Sequence, residues 1–141
     1  MTNTKPVVIL YAEDDEEDRF FFLEGVKCVN ENVQIVTAEN GQDAIDYLAA
    51  IAPDQELPAA IVSDLSMPLC DGLDMLRRVK NEGRWKHIPV VLFSTSSSRF
   101  DVSMATQLGA EAFFTKPETV PEFMKTVQTI LALCKEPRNE A

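Results

Sequence analysis

Basic residues are scarce in this chain: 13 Lys and Arg stand against 23 Asp and Glu in 141 residues, a net charge of −10 with the lone histidine neutral. Phosphate backbones are held by clustered lysines and arginines, so this deficit argues against nucleic-acid binding and favours a cation or a basic protein surface as partner. Cysteine is sparse as well. Cys28, Cys70 and Cys134 are odd in number and share no metal-ligand spacing, which reads as reduced thiols in a cytosolic protein. No apolar run approaches the roughly 18 residues of a membrane helix. The stretch Met1-Thr2-Asn3-Thr4-Lys5-Pro6 has no secretory core, so a cytoplasmic location is expected. The five glycines form no phosphate-cradling loop, which leaves no nucleotide site to expect. Internal repeats and low-complexity linkers are also missing.

What remains is an ordinary globule, 45% hydrophobic and 26% charged. A chain of this length forms one domain and removes roughly two-thirds of its unfolded surface from water. Short apolar runs at 7–12, 33–38, 59–63, 88–93 and 111–115 read as strands. They lack polar alternation, as strands buried on both faces of a parallel sheet do. Between them lie helical stripes: Phe22, Leu23, Val26 and Val29 in 16–30; Ala44, Ile45 and Leu48 in 41–51; Leu73, Leu76 and Val79 in 73–82, with Arg77, Arg78 and Lys80 outward. A further helix over 101–108 carries Met104, Ala105 and Leu108 and stops at Gly109. The last opens with a possible capping box, Thr119-Val120-Pro121-Glu122, and continues through Phe123, Val127, Ile130 and Leu131. Five strand–helix units predict a doubly wound α/β domain, with polar, flexible ends at 1–5 and 135–141.

The first apolar run, Val7 to Ala12, ends in six consecutive acids, Glu13 to Asp18. Acidic side chains suit the first turn of a helix, where they meet the positive end of the dipole. Crowded carboxylates also suit a hard divalent cation with oxygen ligands. The choice turns on what else reaches the same edge. In an open parallel sheet the carboxyl ends of all strands share one edge, and ligands bind in the crevice outside them. The first strand delivers Glu13 and Asp14, the third Asp64, the fourth Ser94 and Thr95, and the fifth Lys116 and then Pro117. Each residue has a bland explanation by itself, as a cap, a strand-end hydroxyl or a solvated lysine. Coincidence at four aligned strand ends is a much weaker explanation than a site.

The chemistry of that set is phosphoryl transfer. Glu13, Asp14 and Asp64 are candidate Mg²⁺ ligands, and the ion would screen Asp64 as a nucleophile. Mg²⁺, the Lys116 ammonium, and Ser94 with backbone N–H groups would each take one equatorial oxygen of the phosphoryl group. The metal reading therefore applies to Glu13 and Asp14, whereas Glu16, Glu17 and Asp18 read as a solvated first helical turn.

Over about residues 6–134 the chain resembles the receiver domain of two-component response regulators. The resemblance rests on Ile9-Leu10-Tyr11-Ala12-Glu13-Asp14-Asp15, Val62-Ser63-Asp64-Leu65-Ser66-Met67-Pro68 with Asp71-Gly72, Pro89 to Ser94, and Phe113-Phe114-Thr115-Lys116-Pro117. It implies a flavodoxin-like sheet in strand order 2-1-3-4-5 with five helices, in three α/β/α layers. It implies Asp64 as phosphoacceptor, Glu13 and Asp14 as the acidic metal pair, and the backbone carbonyl of Ser66 as a further ligand for Mg²⁺, with Mn²⁺ as a substitute. It also implies Ser94 as switch hydroxyl, Phe113 as switch aromatic, Lys116 as phosphate-binding lysine, and a cis Lys116–Pro117 bond. Two positions depart from the common pattern: Ser94 stands where threonine is frequent, and Phe113 where tyrosine is.

The resemblance further implies a phosphoacceptor signalling protein rather than an enzyme, charged by a histidine kinase or a histidine phosphotransfer protein. Self-phosphorylation from small donors and autodephosphorylation are expected. The face formed by the fourth helix, fifth strand and fifth helix would then act on a protein partner or a second copy of the chain. One rival is a Mg²⁺-dependent phosphatase with an Asp nucleophile, but its general acid is wanted at position 66, which is Ser66. The other is a receiver-like adaptor that binds proteins without phosphorylation. Outside the site, Phe20, Phe21 and Phe22 cannot all face the core; Phe22 belongs to the stripe, and Phe21 is expected to point away from it, as a docking ring or buried under a loop or beside Cys28. Cys70 reads as a small loop residue with no basic neighbour, and His87 as a structural residue.

Overall fold

The computed structural model describes residues 6–29, 32–96 and 98–135. Apolar runs and helical stripes alternate as read: β1 (Val7–Ala12), α1 (Glu16–Val29), β2 (Val33–Ala38), α2 (Gly41–Ala49), β3 (Ala60–Ser63), α3 (Gly72–Asn81), β4 (Val90–Ser94), α4 (Arg99–Leu108), β5 (Ala112–Thr115) and α5 (Val120–Lys135). The strands form one sheet in the order β2-β1-β3-β4-β5, every neighbouring pair parallel. This is the flavodoxin-like doubly wound arrangement.

Side chains on a strand alternate between faces, and the core divides accordingly. Leu10, Ala12, Ile61, Val90 and Leu92 face α2, α3 and α4, meeting Ala44, Leu48, Met75, Leu76, Val79 and Ala105. Ile9, Tyr11, Val62, Val91 and Phe93 face α1 and α5, meeting Phe22, Phe123, Val127, Ile130 and Leu131. Two apolar layers thus sandwich the sheet, and its central strands are buried from both sides.

Helix starts are written in short polar side chains. Asn40, Asp71 and Ser98 each accept a hydrogen bond from the backbone N–H three residues on, capping α2, α3 and α4. Asp15 does the same for α1, accepting from Asp18 N at 3.0 Å, and Thr119 Oγ1 accepts from Glu122 N at 3.4 Å before α5. Gly109 ends α4 in the left-handed region at φ 101°, which a side chain would resist. Gly72 opens α3 against the strand end itself: a Cβ there would collide with the Asp64 carbonyl oxygen.

Boundaries differ from the sequence reading by one or two residues. The fourth strand starts at Val90, because Pro89 has no N–H for the ladder, though its carbonyl accepts from Ile61 N at 2.9 Å. Lys135 is still helical. The rest of the expected flexible ends, 1–5 and 136–141, lies outside the described residues. Lys80 does not project freely outward: it is half-buried and donates to the carbonyls of Lys86 and Ile88.

Candidate functional site

Strand pairing continues one residue past the strands, and that residue is the functional one. Glu13 N donates to Ala38 O at 2.9 Å, Asp64 N to Ala12 O at 3.0 Å, and Lys116 N to Ser94 O at 2.8 Å. The carboxyl edge therefore fixes Glu13, Asp64, Ser94 and Lys116 through their own backbones. All four are buried despite being polar. Asp14 is exposed at the rim.

The Lys116 ammonium is the hub. It donates to Glu13 Oε1 at 2.6 Å, Asp18 Oδ2 at 2.8 Å and Asp64 Oδ2 at 3.3 Å, and it lies 5.8 Å from the centre of the Phe93 ring. Burial opposes a charge on this lysine, but the carboxylates of Glu13, Asp18 and Asp64 outweigh it and hold its pKa above the ordinary lysine range. Glu13 is the most enclosed acid. Its Oε1 also accepts from the Tyr11 hydroxyl at 3.4 Å and its Oε2 from Asp15 N at 3.2 Å, while its carbonyl takes Arg19 Nη1 at 2.6 Å. Burial lifts the Glu13 carboxyl from 4.5 to about 7 against the pull of Lys116.

Asp64 is presented asymmetrically. Its Oδ1 accepts from Leu65 N at 2.7 Å, whereas Oδ2 faces Lys116. Ser94 Oγ accepts from Ser96 N at 3.2 Å, and Ser96 Oγ donates to Asp101 Oδ2 at 2.6 Å in the first turn of α4. Phe113 is half-buried and packs against the α2–α4 side of the core. Ser66 is exposed on the loop after Asp64, where it lines a cavity of about 340 Å³ with Leu65, Asp71 and Asp101. Glu13, Asp14 and Asp64 each offer a carboxylate oxygen, and these oxygens lie within 4.8 Å of one another. Such an all-oxygen, triply acidic set fits a hard divalent cation.

Four expectations need correction. Asp18 is not a solvated first-turn acid: it pairs with Lys116. The signal for it lay in spacing, since Asp18 stands one turn before Phe22 and shares its inward face. The Lys116–Pro117 bond is not cis, because the described residues contain no cis peptide; the long lysine stem reaches the crevice from a trans backbone. Phe21 points away from the Phe22 stripe but is not a free docking ring. It is half-buried against Phe123, ring centres 6.2 Å apart, because α1 packs on α5 as well as on the sheet, and Phe20 is the exposed ring at 56%. Cys70 does have a basic neighbour, Arg78 at 3.9 Å, but burial dominates and raises its pKa.

Residues 9–128 match the model of the response regulator receiver domain. The chain belongs to that family. The polar-differentiation response regulator DivK from Brucella anthropi is 26% identical over 126 residues, covering 89% of this chain and 97% of DivK. Histidine kinase P4 from Formosa agariphila is 31% identical over 131 residues, 93% of this chain, but the chain spans just 9% of that protein's length. Among solved structures, the Mn²⁺-bound form of response regulator Rcp1 superposes with a TM-score of 0.86 at 27% identity, covering 96% of this chain and 100% of that one. Receiver domains bind divalent metal and accept phosphate from histidine kinases. No helix among the described residues is long and apolar enough to cross a membrane.

Proposed function

We propose that this receiver domain, taken as residues 6–134, works in the cytoplasm as the phosphoryl acceptor of a two-component pathway or phosphorelay, with Asp64 as the acceptor. The observation that carries the reading is the asymmetric Asp64 carboxylate: Leu65 N–H fixes Oδ1, and Oδ2 is left facing the Lys116 ammonium beside Glu13. In the transfer, an Asp64 Oδ2–phosphorus bond forms as the phosphorus–nitrogen bond of a phosphohistidine breaks, and the electron pair returns to the imidazole. Lys116 loses its Asp64 partner in that step and its N–H turns to a phosphoryl oxygen. Ser94, buried at the adjacent strand end, supplies a hydroxyl to another oxygen.

Glu13, Asp14 and Asp64, with the Ser66 backbone carbonyl, are the residues that would hold Mg²⁺ or Mn²⁺. When bound, the ion would neutralise charge on the transferring group. The same residues would serve a small reactive donor such as acetyl phosphate, and water attacking the Asp64 acyl phosphate would release phosphate and restore the carboxylate, so self-phosphorylation from small donors and autodephosphorylation belong to this reading. Movement of Ser94 towards the adduct, followed by Phe113, would reshape the α4–β5–α5 face for a partner protein or a second copy.

The deciding experiment incubates the protein with Mg²⁺ and acetyl phosphate and assays for an acid-stable, base-labile adduct. Wild type is expected to label and Asp64→Asn to remain blank. Absence of an adduct would favour a binding adaptor, and rapid turnover of varied phosphoesters a phosphatase.

A further inference from the structure

Asp18 is the one carboxylate on Lys116 that neither holds the candidate metal nor accepts the phosphoryl group. Its Oδ2 is 2.8 Å from Nζ, closer than the 3.3 Å of Asp64 Oδ2 to the same nitrogen. An ammonium has three N–H donors, and Glu13, Asp18 and Asp64 engage one each. The N–H on Asp64 comes free only as the Asp64–phosphorus bond forms, so before transfer a phosphoryl oxygen reaches Lys116 by displacing a carboxylate. Glu13 is poorly placed to yield, being fully buried and tied to Asp15 N and Tyr11 as well. Asp18 is held less firmly: its side chain is 27% exposed and springs from the first turn of α1.

We propose that Asp18 is a positioning residue that holds Lys116 back from the phosphoryl group and so slows acceptance of phosphate by Asp64. Two effects act in the same direction. Asp18 occupies a lysine N–H that would otherwise bind the donor's oxygen. It also adds a negative charge beside the place where an anionic donor must approach. The inference rests on Asp64 being the acceptor. A purely structural role for Asp18, as an acid in the first turn of α1, would change stability but not the chemistry.

The test measures rates of phosphorylation by acetyl phosphate at saturating Mg²⁺, by intact mass, for wild type, Asp18→Asn, Asp18→Ala and Asp64→Asn. Asparagine keeps an acceptor for Lys116 and removes the charge; alanine removes both. Both Asp18 variants are expected to accept phosphate about threefold faster or more, the scale of a part-exposed ion pair. The part of the gain that comes from repulsion between the 27% exposed Asp18 and the anionic donor should shrink as salt is raised, whereas the contact with buried Lys116 is screened much less. A stability effect would not follow salt in this way. Unchanged or slower rates in both Asp18 variants, with wild type labelled and Asp64→Asn blank, would overturn the inference and leave the acceptor reading standing. An unlabelled wild type or a labelled Asp64→Asn would overturn the acceptor reading and the inference with it.

Discussion

At the scale of single residues, the site is a balance between one buried cation and the acids around it. Lys116 offsets the mutual repulsion of Glu13 and Asp64 and keeps its own charge although buried, because the carboxylates of Glu13, Asp18 and Asp64 outweigh the cost of burial. Glu13 is where this balance meets the solvent pH. Its carboxyl is raised from 4.5 to about 7, so the folded protein retains a proton that the unfolded chain gives up between those values. The stability this group contributes is present below about 4.5 and is lost as pH rises to about 7. A cation at Glu13 must compete with the same proton, so metal affinity moves the other way and rises with pH. Calorimetric titration with Mg²⁺ is expected to give an affinity about tenfold weaker at pH 6 than at pH 8, the ratio of ionised fractions for a group near 7. Equal affinities at the two values would contradict the joint reading of a raised Glu13 carboxyl and a cation bound to it. The acids at the strand ends were legible from sequence because chain direction alone assigns them to an edge. Asp18 was harder to see. Its side-chain identity matches any first-turn acid, and its inward aim follows from helix phase relative to Phe22.

At the scale of elements, α1 shows how a helix serves two neighbours. Phe22 stacks on Tyr11 with ring centres 3.8 Å apart and is fully buried against the sheet. Phe21 leans on Phe123 of α5, and Phe20 meets Phe21 edge-on at 5.5 Å while remaining 56% exposed. Gly25 lets the two helices approach: a Cβ there would stand 2.9 Å from Val127 Cγ1. Helical periodicity identified the stripe facing the sheet but not the second stripe facing α5, since a single sequence does not say which helices become neighbours. Alanine substitution should order the three rings accordingly. Phe22→Ala should cost about 3–5 kcal/mol as a core truncation. Phe20→Ala should stay within about 0.5 kcal/mol, and Phe21→Ala should fall between them. Urea unfolding midpoints at constant slope give the order directly. Equal losses at Phe20 and Phe21 would contradict the packing of Phe21 against α5.

At the scale of the whole molecule, a doubly wound parallel sheet and its shared edge were legible because five apolar runs alternate with helical stripes, whereas the strand order came from the family resemblance. The network that could carry a signal away from the edge was not legible. It depends on which hydroxyl meets which carboxylate, and Ser96 and Asp101 look in sequence like ordinary loop and first-turn residues. In the structure Ser94 Oγ takes Ser96 N, and Ser96 Oγ reaches Asp101, so a chain of hydrogen bonds runs from the crevice to the start of α4. Phe113 lies on the neighbouring strand, packed towards the same side of the core. A phosphoryl group that draws Ser94 towards Asp64 would pull on the first link of this chain. Ser94→Ala deletes that link while leaving Asp64, Glu13, Asp14 and Lys116 in place. In wild type, Mg²⁺ with acetyl phosphate is expected to change amide hydrogen exchange in the β4–α4 connection, in α4 and in β5. In Ser94→Ala the adduct should still form on Asp64, seen by intact mass, while the exchange changes stop near the end of β4. Changes of equal size in α4 and β5 of the variant would show that the response reaches this face without Ser94.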